Sequence, residues 1–219
     1  MKRTAFTMIE LVFVIVVLGI LAALAMPRLD RDLRQEAADN ILSAIRYTQH
    51  MALLDDVTNP SDNDWQRAFW RFGFQGCRDN GIFYYIGSDK DTEGNIDAGE
   101  ELVDPANGLP MMGLNRADCE TDLSGQINAS SNIFITKKYS IDSNVTWSDG
   151  CTGVSKYIGF DHLGRPHRGY TNSMNPNYSS VLTADCNLTL RFNQAGIDPL
   201  IFTIEKETGY VSIVGQTDS

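Results

Sequence analysis

The pattern of apolar and polar positions predicts one long helix at the start of the chain. Residues 11–26 carry no charged or polar side chain, and residues 6–26 would span roughly 31 Å as a helix. After Pro27, apolar residues recur at steps of three and four, which is typical of an amphipathic helix. The apolar stripe consists of Leu29, Leu33, Ala37, Ile41, Ala44, Ile45, Thr48, Met51 and Ala52. Because proline removes a backbone hydrogen bond, Pro27 predicts a kink between the two halves.

Beyond a polar connector at residues 55–64, the pattern changes to the alternation of strands. Trp70, Phe72 and Phe74 alternate with polar or small residues. Further strands are predicted at 82–87, 133–141, 145–147, 156–160, 188–192 and 200–214, the last with a hairpin around residues 207–209. One long helix followed by short antiparallel strands predicts an α+β fold, with the helix packed across a sheet.

Composition limits the possible functions. The chain has 219 residues and a net charge of −10, and its densest basic pair beyond the N-terminus is Lys137-Lys138. Nucleic-acid binding needs clustered Lys and Arg, so no nucleic-acid partner is expected. The sequence contains no GxSxG, P-loop or HExxH motif. The three histidines, His50, His162 and His167, show no third partner by spacing, so we expect turn or surface positions and no enzyme activity.

Four cysteines lie beyond the apolar run: Cys77, Cys119, Cys151 and Cys186. None forms a CxxC pair, which argues against a zinc ribbon or a redox motif. If this part of the chain is exported, two disulfides are expected, and three connectivities are possible. Nearest pairs close the shortest loops, which favours Cys77–Cys119 with Cys151–Cys186. Reduced, buried cysteines are the alternative.

A single carboxylate, Glu10, lies near the start of the apolar run. A charge in hydrocarbon costs about 3 kcal/mol or more unless it is paired. A secretory signal peptide cleaved near Ala23-Leu24-Ala25 is one alternative for this segment, and a plain signal anchor with Glu10 among the lipid headgroups is another. An acid at the head of the run and a helix that continues beyond it are atypical of a signal peptide.

The stretch FTMIELVFVIVVLGILAALAMP, residues 6–27, resembles the N-terminal signature of type IV pilins and pseudopilins. That family has a short basic leader, then Phe, T-[LM]-[IV]-E, an apolar run and a proline. The resemblance implies cleavage between Ala5 and Phe6 by a prepilin peptidase, followed by N-methylation of Phe6. Ala5 stands where the family usually has Gly. The resemblance also implies that Glu10 faces the amine of Phe6 on a neighbouring subunit.

The resemblance implies an organisation, a location and a set of partners. The leader would be residues 1–5, the transmembrane and assembly helix 6–27, the amphipathic half of the helix 28–54, and a periplasmic pilin-like β domain 55–219. The fold would be a long N-terminal helix, half transmembrane and half amphipathic, packed on an antiparallel β-sheet domain. The protein would be a single-pass protein of the bacterial inner membrane. Its partners would be other pilin or pseudopilin subunits, the prepilin peptidase and N-methyltransferase, and the inner-membrane assembly platform.

Three motifs resemble the H-type minor pseudopilins. They are Trp65 ahead of a strand and an acidic Gly-Glu turn, GFDHLGRP at 159–166, and ETGYVSI at 207–213. The function implied is that of a structural, minor pseudopilin of a type II secretion system or type IV pilus. The alternative is a membrane-anchored periplasmic module that binds calcium or a partner protein.

Residues 89–100, DKDTEGNIDAGE, match the spacing of a calcium-binding loop, with Gly94 at the sharp turn. The predicted ligands are Asp89, Asp91, Glu93, Asn95 (through its backbone carbonyl), Asp97 and Glu100. The alternative is a solvated β-turn with Gly94 and Gly99 at positive φ. No cofactor is expected to be required on either interpretation, and calcium is the ion that the loop would bind on the first.

Overall fold

The first helix dominates the N-terminal part of the structure. The computed structural model describes residues 8–78, 80–113, 129–152, 156–172 and 174–216, without the side chains of residues 22–32. Helix α1 runs from Met8 to Leu54 and has 47 residues. Position 27 lies inside α1, and the kink at Pro27 stays a prediction.

The second half of α1 is held in the core by its apolar stripe. Ala37, Ile41 and Ile45 are fully buried, and Thr48 and Ala52 follow them on the same face. The hydroxyl of Thr48 donates to the carbonyl oxygen of Ala44 at 2.8 Å, so this polar side chain is satisfied within the helix. The spacing of three and four therefore places one continuous surface against the strands.

Eight strands and several short helices follow α1. The strands are β1 Trp70–Gly76, β2 Ile82–Gly87, β3 Thr146–Asp149, β4 Tyr157–Phe160, β5 Pro166–His167, β6 Cys186–Leu190, β7 Leu200–Ile204 and β8 Val211–Ile213. Helix α2 is Ile135–Tyr139, and the 3₁₀ helices are Trp65–Ala68, Ser131–Ile133 and Tyr178–Ser180. The strands form two antiparallel sheets of four, in the orders β2-β1-β4-β5 and β3-β6-β7-β8.

The arrangement in two sheets corrects the predicted fold, in which a long, half-transmembrane helix packs on one antiparallel sheet. Alternation along a strand shows which face is buried but not which strands share hydrogen bonds. Here the chain makes β1 and β2, then β3 of the second sheet, and returns to the first sheet with β4 and β5. α1 contacts strands of both sheets, namely β1, β2 and β4 of one and β7 and β8 of the other.

Residues 133–141 are not the strand that was predicted. They form the end of a 3₁₀ helix and then α2, which stops at Ser140 in the left-handed conformation with φ of 57°. In IFITKKYSI, Ile135 and Tyr139 are four residues apart and both are buried. The apolar residues of this segment fit the spacing of a helix as well as that of a strand. Here the segment packs against β2 as a helix.

No helix in the described part of the chain is both long enough and apolar enough to cross a membrane. The predictions of a transmembrane half at residues 6–27 and of a single-pass inner-membrane location are therefore wrong.

Candidate functional site

The start of α1 presents an exposed apolar surface, which we call the apolar segment (residues 8–21). Every side chain in it is exposed, and the exposed fraction is 86% at Met8, 69% at Phe13 and 57% at Leu21. Its one charged residue is Glu10, which is also exposed. Monomeric soluble proteins rarely expose apolar patches larger than roughly a few hundred Å², so this surface has the character of an interaction site.

Of the four residues predicted for processing and assembly, the structure describes two, Glu10 and Pro27. Ala5 and Phe6 lie outside the described residues, so the structure does not test the predicted cut. Glu10 lies in the first turn of α1, and Pro27 lies further along the same helix.

The acidic loop brings most of its predicted ligands together. Carboxylate oxygens of Asp89, Asp91 and Glu100 lie within 4.8 Å of one another, and so do those of Asp91, Glu93 and Asp97. The two groups share Asp91, so the carboxylates of the loop form one continuous cluster. Ca²⁺ prefers several oxygen ligands, and carboxylate oxygens this close to one another could contact the same ion.

The loop also folds on its own acidic side chains. The Glu100 carboxylate accepts hydrogen bonds from the backbone N–H groups of Lys90, Asp91 and Asp97 at 2.6, 3.1 and 2.8 Å. Gly94 and Gly99 have φ of 103° and 97°, which the plain-turn alternative also requires. These bonds agree with either interpretation, and they hold the Glu100 carboxylate in position.

The remaining predicted ligand, Asn95, is exposed at the tip of the loop, next to the buried Ile96. A Cβ atom added at Gly87 would lie 2.6 Å from the Ile96 side chain, so Ile96 packs directly on the backbone of β2. This contact anchors the loop to the first sheet.

Asp89 differs from the other acids of the loop because it is fully buried. Its Oδ2 accepts a hydrogen bond from the Gly94 N–H at 2.8 Å and lies 3.9 Å from the Arg71 guanidinium. Its Oδ1 has no hydrogen-bond partner among the described residues. Burial raises the pKa of Asp89 to about 6, although Arg71 and the Gly94 N–H both act to lower it.

A cavity of about 780 Å³ lies beside this loop. Residues 94–98 of the loop form one side of it, and Arg71, Tyr85 and Tyr157 are among the side chains that line the rest. The cavity therefore sits on the outer face of the first sheet, away from α1. The sequence pattern does not reveal this cavity, because its walls come from β1, β2, β4 and the acidic loop.

His167 lies in a strand and in a buried polar network, so its predicted position in a turn or on the surface is wrong. His167 is 3% exposed, with Nε2 3.1 Å from Asp161 Oδ2 and Nδ1 2.8 Å from Ser180 Oγ. The Ser180 hydroxyl donates to the carbonyl oxygen of Asn177 at 2.6 Å, so its proton is committed there. The network ties β4 and β5 to the 3₁₀ helix Tyr178–Ser180.

The other two histidines agree better with the expectation. His50 is exposed, and the half-exposed His162 has its Nδ1 3.3 Å from Asp56 Oδ1. One feature of the sequence points to the contact between His167 and Asp161. The two residues lie on either side of a Gly-Arg-Pro turn, and the strands next to that turn, β4 and β5, pair with each other.

The structure confirms one of the two favoured disulfides. Cys151 and Cys186 are bonded, with Cα atoms 5.1 Å apart. The other favoured pair involves Cys119, which lies outside the described residues, and Cys77 is not a free thiol. The confirmed bond joins the turn after β3 to the first residue of β6.

Comparison of the chain with protein-family models, curated proteins and solved structures found no match.

Proposed function

We propose that the protein is a structural subunit of a pilin-like filament and that it assembles through the first half of α1. The observation that carries the proposal is the apolar segment: an exposed, apolar helical surface whose one charge is Glu10. Burying a large apolar side chain stabilises an assembly by about 1.5–3 kcal/mol. A helical partner surface of the same kind would bury many such side chains at once.

Glu10 would give this assembly its register. A carboxylate enclosed by apolar side chains is costly unless a positive group neutralises it. In the processed chain, the amine of Phe6 on a neighbouring subunit would be that group. The prepilin-like stretch at residues 6–27 supports the pairing, because it places a new N-terminus four residues before the acid.

The test is incorporation of the full chain into filaments in its native host. We expect Glu10→Ala to reduce the amount of protein in the sheared filament fraction by about tenfold or more, which corresponds to roughly 1.4 kcal/mol or more of lost pairing. Asp39→Ala is the matched control, since Asp39 is an exposed acid in the packed half of α1. Wild-type incorporation of Glu10→Ala would contradict the proposal.

A second candidate function, calcium binding by the acidic loop, is supported by Asp89. Its buried Oδ1 has no partner among the described residues and belongs to a side chain of the carboxylate cluster. A buried polar atom without a partner costs about 1–3 kcal/mol, and a divalent cation would remove that cost.

Calorimetric titration of the full chain with Ca²⁺ tests this function. We expect saturable heat at a Ca²⁺ concentration of about 1 mM or below, which Asp89→Asn abolishes and the exposed-site control Asp198→Asn preserves. Absence of heat at millimolar Ca²⁺ would leave the loop as a turn stabilised by its own acids.

A further inference from the structure

Three buried polar groups with unmet hydrogen-bonding capacity lie together on the outer face of the first sheet. They are Arg71 Nε, Asp89 Oδ1 and the Tyr170 hydroxyl, none of which has a hydrogen-bond partner in the described part of the chain. The three residues are 3%, 0% and 0% exposed. Native proteins leave few such groups unpaired. Arg71 also lines the cavity beside the acidic loop, which makes that cavity a candidate ligand site.

Arg71 is the group best placed to contact a ligand. Its side chain lines the 780 Å³ cavity, and its ion pair with Asp89 has a 3.9 Å N–O distance that is too long for a hydrogen bond. Its guanidinium carbon lies 5.9 Å from the centre of the Tyr157 ring, which orients the group without using its N–H donors. A planar fork of free donors matches the two oxygens of a carboxylate.

The walls of the cavity suit a flat ring. Tyr85 and Tyr157 line it, and Tyr85 lies so close over β1 that a Cβ atom at Gly73 would be 2.6 Å from it. Tyr170 lies over Gly159 of β4 in the same manner. The two glycines thus let the hydroxyl ends of Tyr85 and Tyr170 lie against the sheet, and the rings of Tyr85 and Tyr157 border the cavity beside Arg71.

Charge restricts the ligand further. Arg71 is the one cationic side chain among the described residues that line the cavity, while Asp97 also lines it and Asp89 lies behind Arg71. A dianion would be repelled by these acids, whereas a single carboxylate would be neutralised by Arg71.

We propose that this cavity binds a small aromatic monocarboxylate, with its carboxylate on Arg71 and its ring against Tyr85 and Tyr157. The volume of about 780 Å³ is in the range of small-molecule sites. This site is independent of the filament proposal. It is tested in calcium-free buffer, so that its outcome is also separate from that of the calcium loop.

The experiment is ligand binding to the full chain by NMR titration, with benzoate as the probe. We expect saturable binding of benzoate, and binding at least about tenfold weaker for acetate, which has no ring, and for benzamide, which has no charge. Arg71→Lys keeps the charge but not the planar fork, and we expect it to weaken benzoate binding by a similar factor.

Because Arg71 is buried, its replacement could also affect folding. A second variant therefore blocks the cavity without changing Arg71, Asp89 or Tyr170. Ala98→Trp places a large ring at an exposed position that lines the cavity, and Ala195→Trp makes the same change at an exposed position that does not. We expect the first to block benzoate and the second to leave it unaffected. No saturation at about 10 mM benzoate, equal binding of benzamide, or undiminished binding to Ala98→Trp would overturn the proposal.

Discussion

Two buried aspartates show how strongly local contacts decide the behaviour of one residue type. Asp161 accepts hydrogen bonds from the backbone N–H groups of Leu163 and Arg165 and from the side chains of Arg165 and His167. Burial alone would raise its pKa, but these bonds hold the pKa of Asp161 well below its usual range. Asp89 lacks comparable donors, and its pKa rises. The first residue stabilises the fold, and the second keeps a buried oxygen, Oδ1, without a hydrogen-bond partner among the described residues.

Calcium binding is expected to depend on pH through Asp89. Its pKa of about 6 means that the carboxylate is ionised above pH 6 and protonated below it. The apparent Ca²⁺ affinity should therefore fall as pH drops through 6, by up to about tenfold per unit. Titrations at pH 5, 6 and 7.5 measure this dependence, and an affinity that is constant across that range would exclude Asp89 as a ligand.

Replacement of Asp161 is expected to destabilise the fold. Asp161→Asn removes the charge opposite Arg165 and His167, so we expect a loss of about 2–4 kcal/mol in urea unfolding at pH 7. Because its folded-state pKa is lowered, the carboxylate contributes fully above the unfolded value of 3.8, and the contribution is lost as pH falls below it. Asp198→Asn, at an exposed position, is the control and should change stability by less than about 0.5 kcal/mol.

At the scale of elements, α1 joins the two sheets. The amide of Gln49 donates to the carbonyl oxygen of Gly164 at 2.9 Å and to that of Thr208 at 2.7 Å. Gly164 lies in the turn between β4 and β5, and Thr208 lies between β7 and β8. One side chain of the helix therefore fixes a turn of each sheet, and the buried stripe of α1 fixes the rest.

The disulfide between Cys151 and Cys186 is the covalent link at this scale. It closes a loop with a sequence separation of 35, for which chain-entropy arguments give about 4 kcal/mol. We expect the double variant Cys151→Ser and Cys186→Ser to unfold at correspondingly lower urea concentration. An unchanged midpoint would show that the second sheet is held by packing alone.

Local patterns predicted those elements whose spacing has one interpretation. The stripe of α1, the strands at 70–76 and 82–87 and the closing hairpin follow from such spacing. Residues 133–141 fit two periods, and tertiary packing decided between them. The two-residue β5 is too short to produce a pattern, and the division into two sheets depends on pairings between distant residues. The acidic loop was visible as a motif, whereas Arg71 and His167 acquire their roles only from contacts across the fold.

At the scale of the whole molecule, the two halves of α1 differ in their surroundings. From Ala37 onward the helix is part of the core, while the apolar segment is exposed to its full extent. The proposed assembly would use this exposed half of the helix and leave the packed half inside each subunit. The acidic loop and the Arg71 cavity belong to the first sheet, so ligand binding and assembly would use different parts of the molecule.

Mass spectrometry of the N-terminus of the protein isolated from filaments of its native host tests the central claim most directly. A subunit that assembles as proposed begins at an N-methylated Phe6, four residues before Glu10. A chain that begins at Met1, or one that begins near Met26 and so lacks the apolar segment, would contradict assembly through α1.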